Sequence, residues 1–138
     1  MNNLIQAKQL VAEIGNMLVE QNATLATAES CTGGLIASLL TDVSGSSRYF
    51  KGGIVSYTNE IKAEVLGVKQ ETLDKFSAVS LETAYEMVAC VQKLMKTDFA
   101  ISVTGNAGPN PSEGKEVGLV YFGLAVKNKI ITVYREQF

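Results

Sequence analysis

The sequence predicts a three-layer α/β/α domain, with a mainly parallel, mixed five-stranded sheet between its helices. Three observations lead there. Segments with apolar residues at helical spacing alternate with short continuous apolar runs, the pattern of strands covered on both faces by crossover helices. The last two such runs follow one another with no helix between them, which predicts a hairpin and one antiparallel strand. A chain of 138 residues, 46% of them hydrophobic and 19% charged, suits one domain over 1–138 with a substantial core.

The elements follow in order. Leu4, Ala7, Leu10, Val11, Ile14 and Leu18 recur at helical spacing and predict a helix over about 3–21. Ala23 to Ala28 reads as a buried strand, and Ser30 as the cap of a helix over about 31–42 that is apolar at Leu35, Ile36, Leu39 and Leu40. A turn-rich loop with Ser44-Gly45-Ser46-Ser47 leads to a second strand, Gly53 to Tyr57, then to helical turns over Ile61 to Leu66 that end at Gly67. A short helix near 70–75 precedes Ser80, the cap of a helix through Met95 with Ala84, Met87, Val88, Val91 and Met95 on its core face. Phe99 to Val103 is the third strand. Val117 to Val126 and Ile130 to Tyr134 form the hairpin, turning at Asn128, whose side chain tolerates a left-handed backbone.

Composition excludes several function classes. The formal charge is −2, from 12 Lys+Arg against 14 Asp+Glu, with no basic run of the kind nucleic-acid binding needs. No apolar run approaches the roughly 20 residues of a membrane span, and Met1-Asn2-Asn3-Leu4 does not resemble a signal peptide. With Cys31 and Cys90 far apart, a cytoplasmic, reducing location is expected, without a disulfide. There is no histidine. That removes the Ser-His-Asp triad, the Cys-His dyad and every His-containing zinc site, and two cysteines cannot complete a Cys₄ site. A hydrolase built from this chain needs a lysine, a carboxylate or a metal-bound water as its base; no metal site and no cofactor are expected.

Three segments leave strands with small polar residues: Glu29-Ser30-Cys31-Thr32-Gly33-Gly34, Tyr57-Thr58-Asn59, and Thr104-Gly105-Asn106-Ala107-Gly108-Pro109. In open α/β sheets ligands bind beyond the carboxyl ends of the strands, and free N–H groups at a helix start attract anions. The three segments therefore predict a pocket for a small polar ligand. Neither a Walker nor a Rossmann phosphate motif is present; Gly108 to Gly114-Lys115 has one residue too many between its glycines, and Glu116 follows. A serine activated by a desolvated lysine fits the missing histidine, with Ser30, Ser44, Ser46 and Ser47 as candidate nucleophiles and Lys51 or Lys62 as candidate base. Cys31 beside a helix start is either a lowered-pKa thiol or a small packing residue.

Thr27-Ala28-Glu29-Ser30-Cys31-Thr32-Gly33-Gly34, Ser44-Gly45-Ser46-Ser47-Arg48-Tyr49-Phe50, Gly52-Gly53, Tyr57-Thr58-Asn59 with Lys62, Leu66-Gly67-Val68, Ala78-Val79-Ser80, Thr104-Gly105, Ala107-Gly108-Pro109 and Gly118 together resemble the CinA C-terminal domain family, colinearly over nearly the whole chain. The resemblance implies a nicotinamide mononucleotide deamidase, which hydrolyses the nucleotide's carboxamide to nicotinic acid mononucleotide and ammonia through a Ser–Lys pair. Carried over by motif, it implies Ser47 as nucleophile, Lys62 as base and Tyr57 as an assisting group. It places Ser30, Thr32, Gly33, Gly34, Thr104, Gly105 and Asn106 in substrate binding, with the phosphate at Ser30 to Gly34. Because a helix lies between Ser30 and Ser47, a Ser47–Lys62 pair requires the Ser44–Phe50 loop to fold back, or the pair to form between subunits.

Two departures stand out. Asn106 replaces the family's Ile, and the family's Gly-Asp-Arg segment and closing helix have no counterpart in Tyr134-Arg135-Glu136-Gln137-Phe138. They fit a second reading, a catalytically weak nucleotide-binding or oligomerisation domain. The expected partners are a nucleotide substrate and a second copy of the chain, met through apolar sheet surface near Val120, Phe122, Ile131 and Val133; neither nucleic acid nor membrane is expected.

Overall fold

The computed structural model describes residues 2–127 and 130–138; the expected turn at Asn128 lies outside the described residues. Five strands form one sheet: β1 Leu25–Glu29, β2 Phe50–Val55, β3 Phe99–Gly105, β4 Leu119–Val126 and β5 Ile130–Gln137. Their spatial order is β2-β1-β3-β4-β5. β1 pairs in parallel with both β2 and β3, whereas β4 is antiparallel to β3 and to β5. The sheet is thus mainly parallel, with β4 the one reversed strand among those described.

Alternation along the strands divides the core in two. Ala26, Ala28, Ala100 and Ala125 pack against Met87, Val88 and Val91 of α5 (Leu81–Met95) and against Leu66, Val68 and Leu73. On the other face Leu25 packs with Leu18 of α1 (Asn2–Glu20), Leu40 of α2 (Leu35–Thr41) and Tyr49. The small residues on the α5 side let that helix lie close to the sheet, and Ser102 donates its hydroxyl proton to the Ala84 carbonyl at 2.7 Å. No helix among the described residues is long and apolar enough to cross a membrane.

Several boundaries differ from the sequence reading. α2 begins at Leu35, because Gly34 sits at φ 103°, a left-handed conformation that no helix interior holds. β2 starts three residues before Gly53: Phe50 pairs with Leu25 and Gly52 with Ala26, so Lys51 is an extra, bulged residue on the edge strand. β3 runs through Thr104 and Gly105, which take up partners on β4. After β2, α3 (Asn59–Ile61) widens into a π-turn over Lys62–Leu66, closed by Gly67 at φ 97°, whose N–H donates to the Lys62 carbonyl at 3.0 Å. A further helix, α4 (Gln70–Phe76), precedes α5, and Ser80 caps α5 by accepting from the Thr83 N–H at 3.1 Å, as expected.

The apolar surface expected near Val120, Phe122, Ile131 and Val133 is not one surface. The register sets Phe122 opposite Tyr134 and Gly123 opposite Val133. Val120 and Phe122 therefore face the α1 side, while Ile131 and Val133 face α5, where Ile131 packs on the core. Among the exposed apolar residues are Ile130 and Tyr134 on β5 and Ile14 and Met17 on α1.

Candidate active site

The parallel strands β1, β2 and β3 end side by side, and the segments that leave them enclose a cleft of about 540 Å³. Ser30, Cys31, Tyr57, Asn59, Lys62, Thr104, Gly105 and Asn106 line it, joined by Ala78, Val79 and the loop through Glu113. Its size suits a small-molecule ligand.

Lys62 forms the floor. It is 1% exposed, carried beneath the strand ends by the π-turn. Its Nζ donates to the Ser56 carbonyl at 2.8 Å and the Tyr57 carbonyl at 3.0 Å, and lies 2.9 Å from Ser30 Oγ. Lys62 has no ion-pair partner among the described residues. Burial pushes its pKa down from 10.5 to about 8, against a smaller upward pull from the Glu113 carboxylate and from the Cys31 sulfur. The two carbonyls can only accept, so in the neutral amine they take both N–H protons, and the lone pair is left pointing at the Ser30 hydroxyl. That is the geometry of a serine with its general base.

Ser30 is fixed from both sides. Its N–H donates to the Val103 carbonyl at 3.0 Å, tying the end of β1 to β3. On the other side the preceding residue, Glu29, is buried at the end of β1. The Glu29 carboxylate accepts from Thr32 Oγ1 at 2.8 Å, from the Ile36 N–H at 2.8 Å and from the Ala37 N–H at 3.0 Å. The Ser30–Gly34 turn is thus closed against α2 by one carboxylate.

This arrangement differs from three expectations. Ser30 does not cap α2; Glu29 does. The helix start is not free for a phosphate, since its N–H groups already hold a carboxylate whose charge would repel a second anion. Thr32, Gly33 and Gly34 build the turn and do not line the cleft, and the Thr32 hydroxyl is spent on Glu29.

Ser47 lies apart from Lys62 within the chain. It sits exposed in the 3₁₀ turn Ser46–Arg48 that precedes β2. The Tyr49 carbonyl just after it accepts from the Leu25 N–H at 2.8 Å, which puts the turn at the start of β1, whereas Ser30 follows its end. Five residues of strand separate the two, roughly 17 Å at the usual rise. The loop does not fold back, and within the chain Lys62 pairs with Ser30. Ser44 and Ser46 share the far end with Ser47, and Lys51 is on its bulge there.

The remaining residues divide by role. Tyr57 lines the cleft, 69% exposed, and gives its carbonyl to Lys62. Thr104 donates its hydroxyl proton to the Ala78 carbonyl at 2.6 Å, joining β3 to the α4–α5 connection. Asn106 lines the cleft, yet its amide is fully engaged: Nδ2 donates to the Asn110 and Lys115 carbonyls at 3.3 and 3.1 Å, and Oδ1 accepts from the Gly108 N–H at 3.0 Å. It shapes the loop and has little left for a ligand. The Cys31 thiol is raised in pKa by burial, outweighing the Cys31 and Thr32 N–H groups that lower it, so it is a packing residue and no activated nucleophile. Among the described residues no cluster of three or more His, Cys, Asp or Glu could hold a metal ion.

Two site residues were not found from sequence. Glu29 has a local signal, a carboxylate followed after a short polar turn by a helix. Glu113 has none: it reaches Asn59, 54 positions away, and the Ala78 N–H, 35 away.

The profile of the CinA C-terminal domain family matches residues 7–138. A CinA-like protein of Leptospira borgpetersenii serovar Hardjo-bovis is 53% identical over 127 residues, 91% of this chain and 30% of that protein. A CinA-like protein of Flavobacterium psychrophilum is 53% identical over 126 residues, with 29% of its length covered. The chain thus spans about 30% of the length of the curated relatives it matches. Among solved structures, the competence damage-inducible protein A of Klebsiella pneumoniae superposes with TM-score 0.92 at 35% identity, covering 96% of this chain and 82% of that one. The competence/damage inducible protein CihA of Agrobacterium tumefaciens does so with TM-score 0.92 at 39% identity, covering 96% and 81%.

Proposed function

The chain belongs to the CinA C-terminal domain family, and from that premise we propose that it is an amidohydrolase that converts nicotinamide mononucleotide to nicotinic acid mononucleotide and ammonia, with Ser30 as nucleophile and Lys62 as base. One observation carries the reading: a buried lysine without an ion-pair partner, its two other hydrogen bonds fixed on carbonyls, set 2.9 Å from a serine hydroxyl at the floor of a cleft.

The chemistry balances with water as the only co-reactant. Neutral Lys62 takes the Ser30 proton as Oγ attacks the carboxamide carbon. The ammonium that results donates that proton to the departing nitrogen, the C–N bond breaks, ammonia leaves, and an ester to Ser30 remains. Lys62, again neutral, deprotonates a water that attacks the ester, giving the carboxylate and restoring Ser30. The Cys31 N–H, next in the chain after the nucleophile and given to no backbone carbonyl, is the donor best placed for the oxyanion.

A second reading, a domain that binds the nucleotide without turning it over, draws on one observation: among the described residues Lys62 is the sole basic side chain lining the cleft, and it is committed to the floor, so a phosphate meets only uncharged donors there. Ammonia release from nicotinamide mononucleotide, measured beside a binding titration of the same compound, decides between them. Release that depends on Lys62 supports the amidase; binding without release selects the second reading.

A further inference from the structure

A second cavity, of about 650 Å³, lies at the other end of the sheet from the cleft, between α5 and the ends of β4 and β5. Its volume suits a small-molecule ligand. Gln92 of α5 and Asp98, which precedes β3, give it two open acceptors. Gln92 Nε2 donates to the Asp98 carbonyl at 3.0 Å and to the Val126 carbonyl at 3.3 Å. Both amide protons are therefore spent, and Oε1 has no donor among the described residues. Asp98 accepts from the Thr24 N–H at 2.9 Å and the Thr24 hydroxyl at 3.2 Å through Oδ2 alone, so Oδ1 is likewise open among the described residues. Thr97 beside them is 8% exposed, and its buried hydroxyl has no hydrogen-bond partner among the described residues. Polar atoms left open around one cavity are the kind that a bound molecule satisfies. The cavity also carries two cations, Lys93 on α5 and Lys127 just after β4, neither of them in an ion pair among the described residues. Tyr85, 46% exposed, adds an aromatic ring to its lining.

We propose that this cavity is a second ligand site, which takes a nucleoside monophosphate with an amino-bearing base. Two ammonium groups match a phosphate dianion in charge, whereas a single carboxylate would leave one of them unpaired. The amino group of the base supplies the donor that Gln92 Oε1 and Asp98 Oδ1 lack, and the flat ring stacks on Tyr85. None of these residues lines the cleft that holds Ser30 and Lys62. The two sites stand at opposite ends of the parallel strands, and the inference does not depend on the amidase reading.

The test is titration calorimetry at neutral pH and low salt with adenosine monophosphate, inosine monophosphate and adenosine. The wild type is expected to bind adenosine monophosphate about tenfold or more tighter than adenosine, with an advantage that shrinks as salt is added. Inosine monophosphate, which has a carbonyl in place of the amino group, is expected to bind several-fold more weakly. Lys93→Gln and Lys127→Gln are each expected to weaken adenosine monophosphate by about fivefold and to leave adenosine unchanged. Tyr85→Leu is expected to weaken both compounds. Lys75→Gln, which removes the same charge on α4 away from the cavity, is expected to change nothing. All four side chains are exposed enough for the variants to fold, and none takes part in the proposed hydrolysis, so ammonia release is expected to be unaffected. No binding of adenosine monophosphate, equal binding of adenosine or of inosine monophosphate, or an affinity that survives both Lys93→Gln and Lys127→Gln would overturn the proposal. A loss in Lys75→Gln as large as in those two would overturn it as well.

Discussion

Two serine-bearing turns lie at opposite ends of the same strand, and only one of them opens onto a cleft. Ser30 follows the carboxyl end of β1, where three parallel strands open onto a cleft and a buried lysine waits 2.9 Å away. Ser47 precedes β2 at the opposite end, exposed, in a turn whose partners are its own neighbours and the first residue of β1. Both segments contain Ser, Gly and a following strand or helix, so composition alone does not separate them. What separates them is direction: a parallel sheet gathers its carboxyl strand ends on one side, and it is there that the turns after β1, β2 and β3 enclose a cleft.

The variant expected to have the largest effect is Lys62→Arg. Guanidinium stays protonated and cannot take the Ser30 proton, so kcat for ammonia release should fall by roughly three orders of magnitude while nucleotide binding persists. Near-normal turnover would remove Lys62 as the base. The pH profile sharpens the same point. Only neutral Lys62 accepts a proton, so with its pKa held near 8 by burial, kcat/KM should rise with pH to a midpoint near 8. The groups facing Lys62 are Glu113, which raises it, and Cys31, which raises it less. Glu113→Gln should therefore move the midpoint to lower pH.

Glu29→Gln addresses how Ser30 is held. An amide cannot accept at both ends, so one of the Ile36 and Ala37 N–H groups loses its acceptor, at a cost of roughly 1–3 kcal/mol in stability. With the turn loosened, kcat should fall about ten- to hundred-fold with little change in KM, a split that general destabilisation would not produce. The smallest effect is expected at Cys31→Ala, where the half-buried thiol has a raised pKa, with activity within about threefold of wild type.

Much of this was legible beforehand. Helical spacing locates α1 and α5, the two apolar runs without an intervening helix give β4 its reversed direction, and the missing histidine leaves a lysine, a carboxylate or a metal-bound water as the base of a hydrolase. The residues alone leave Lys51 and Lys62 open as the buried lysine, and only the resemblance favours Lys62, which the fold buries while Lys51 lies on its bulge at the other end of the sheet. A motif shared with relatives says that residues recur together, not which end of a strand they occupy, so it does not reveal that Ser47 and Lys62 lie at opposite ends of β1 within the chain. Glu29 was read as part of a loop because a carboxylate at a strand end resembles a turn residue until a helix N-terminus supplies its partners. Asn106 looked like a ligand group, but Asn followed two positions later by Gly is also the signature of an Asx-turn, which is the role its Oδ1 takes. Glu113 depends on contacts 54 and 35 positions away, and no local pattern carries that information.

The central claim is that Ser30, and not Ser47, works with Lys62. It is tested most directly by measuring ammonia release from nicotinamide mononucleotide with Ser30→Ala and Ser47→Ala side by side. Ser30→Ala is predicted to lose about a thousandfold or more in kcat, and Ser47→Ala to stay within twofold of wild type. A Ser47→Ala variant that loses turnover while Ser30→Ala retains it would contradict the account.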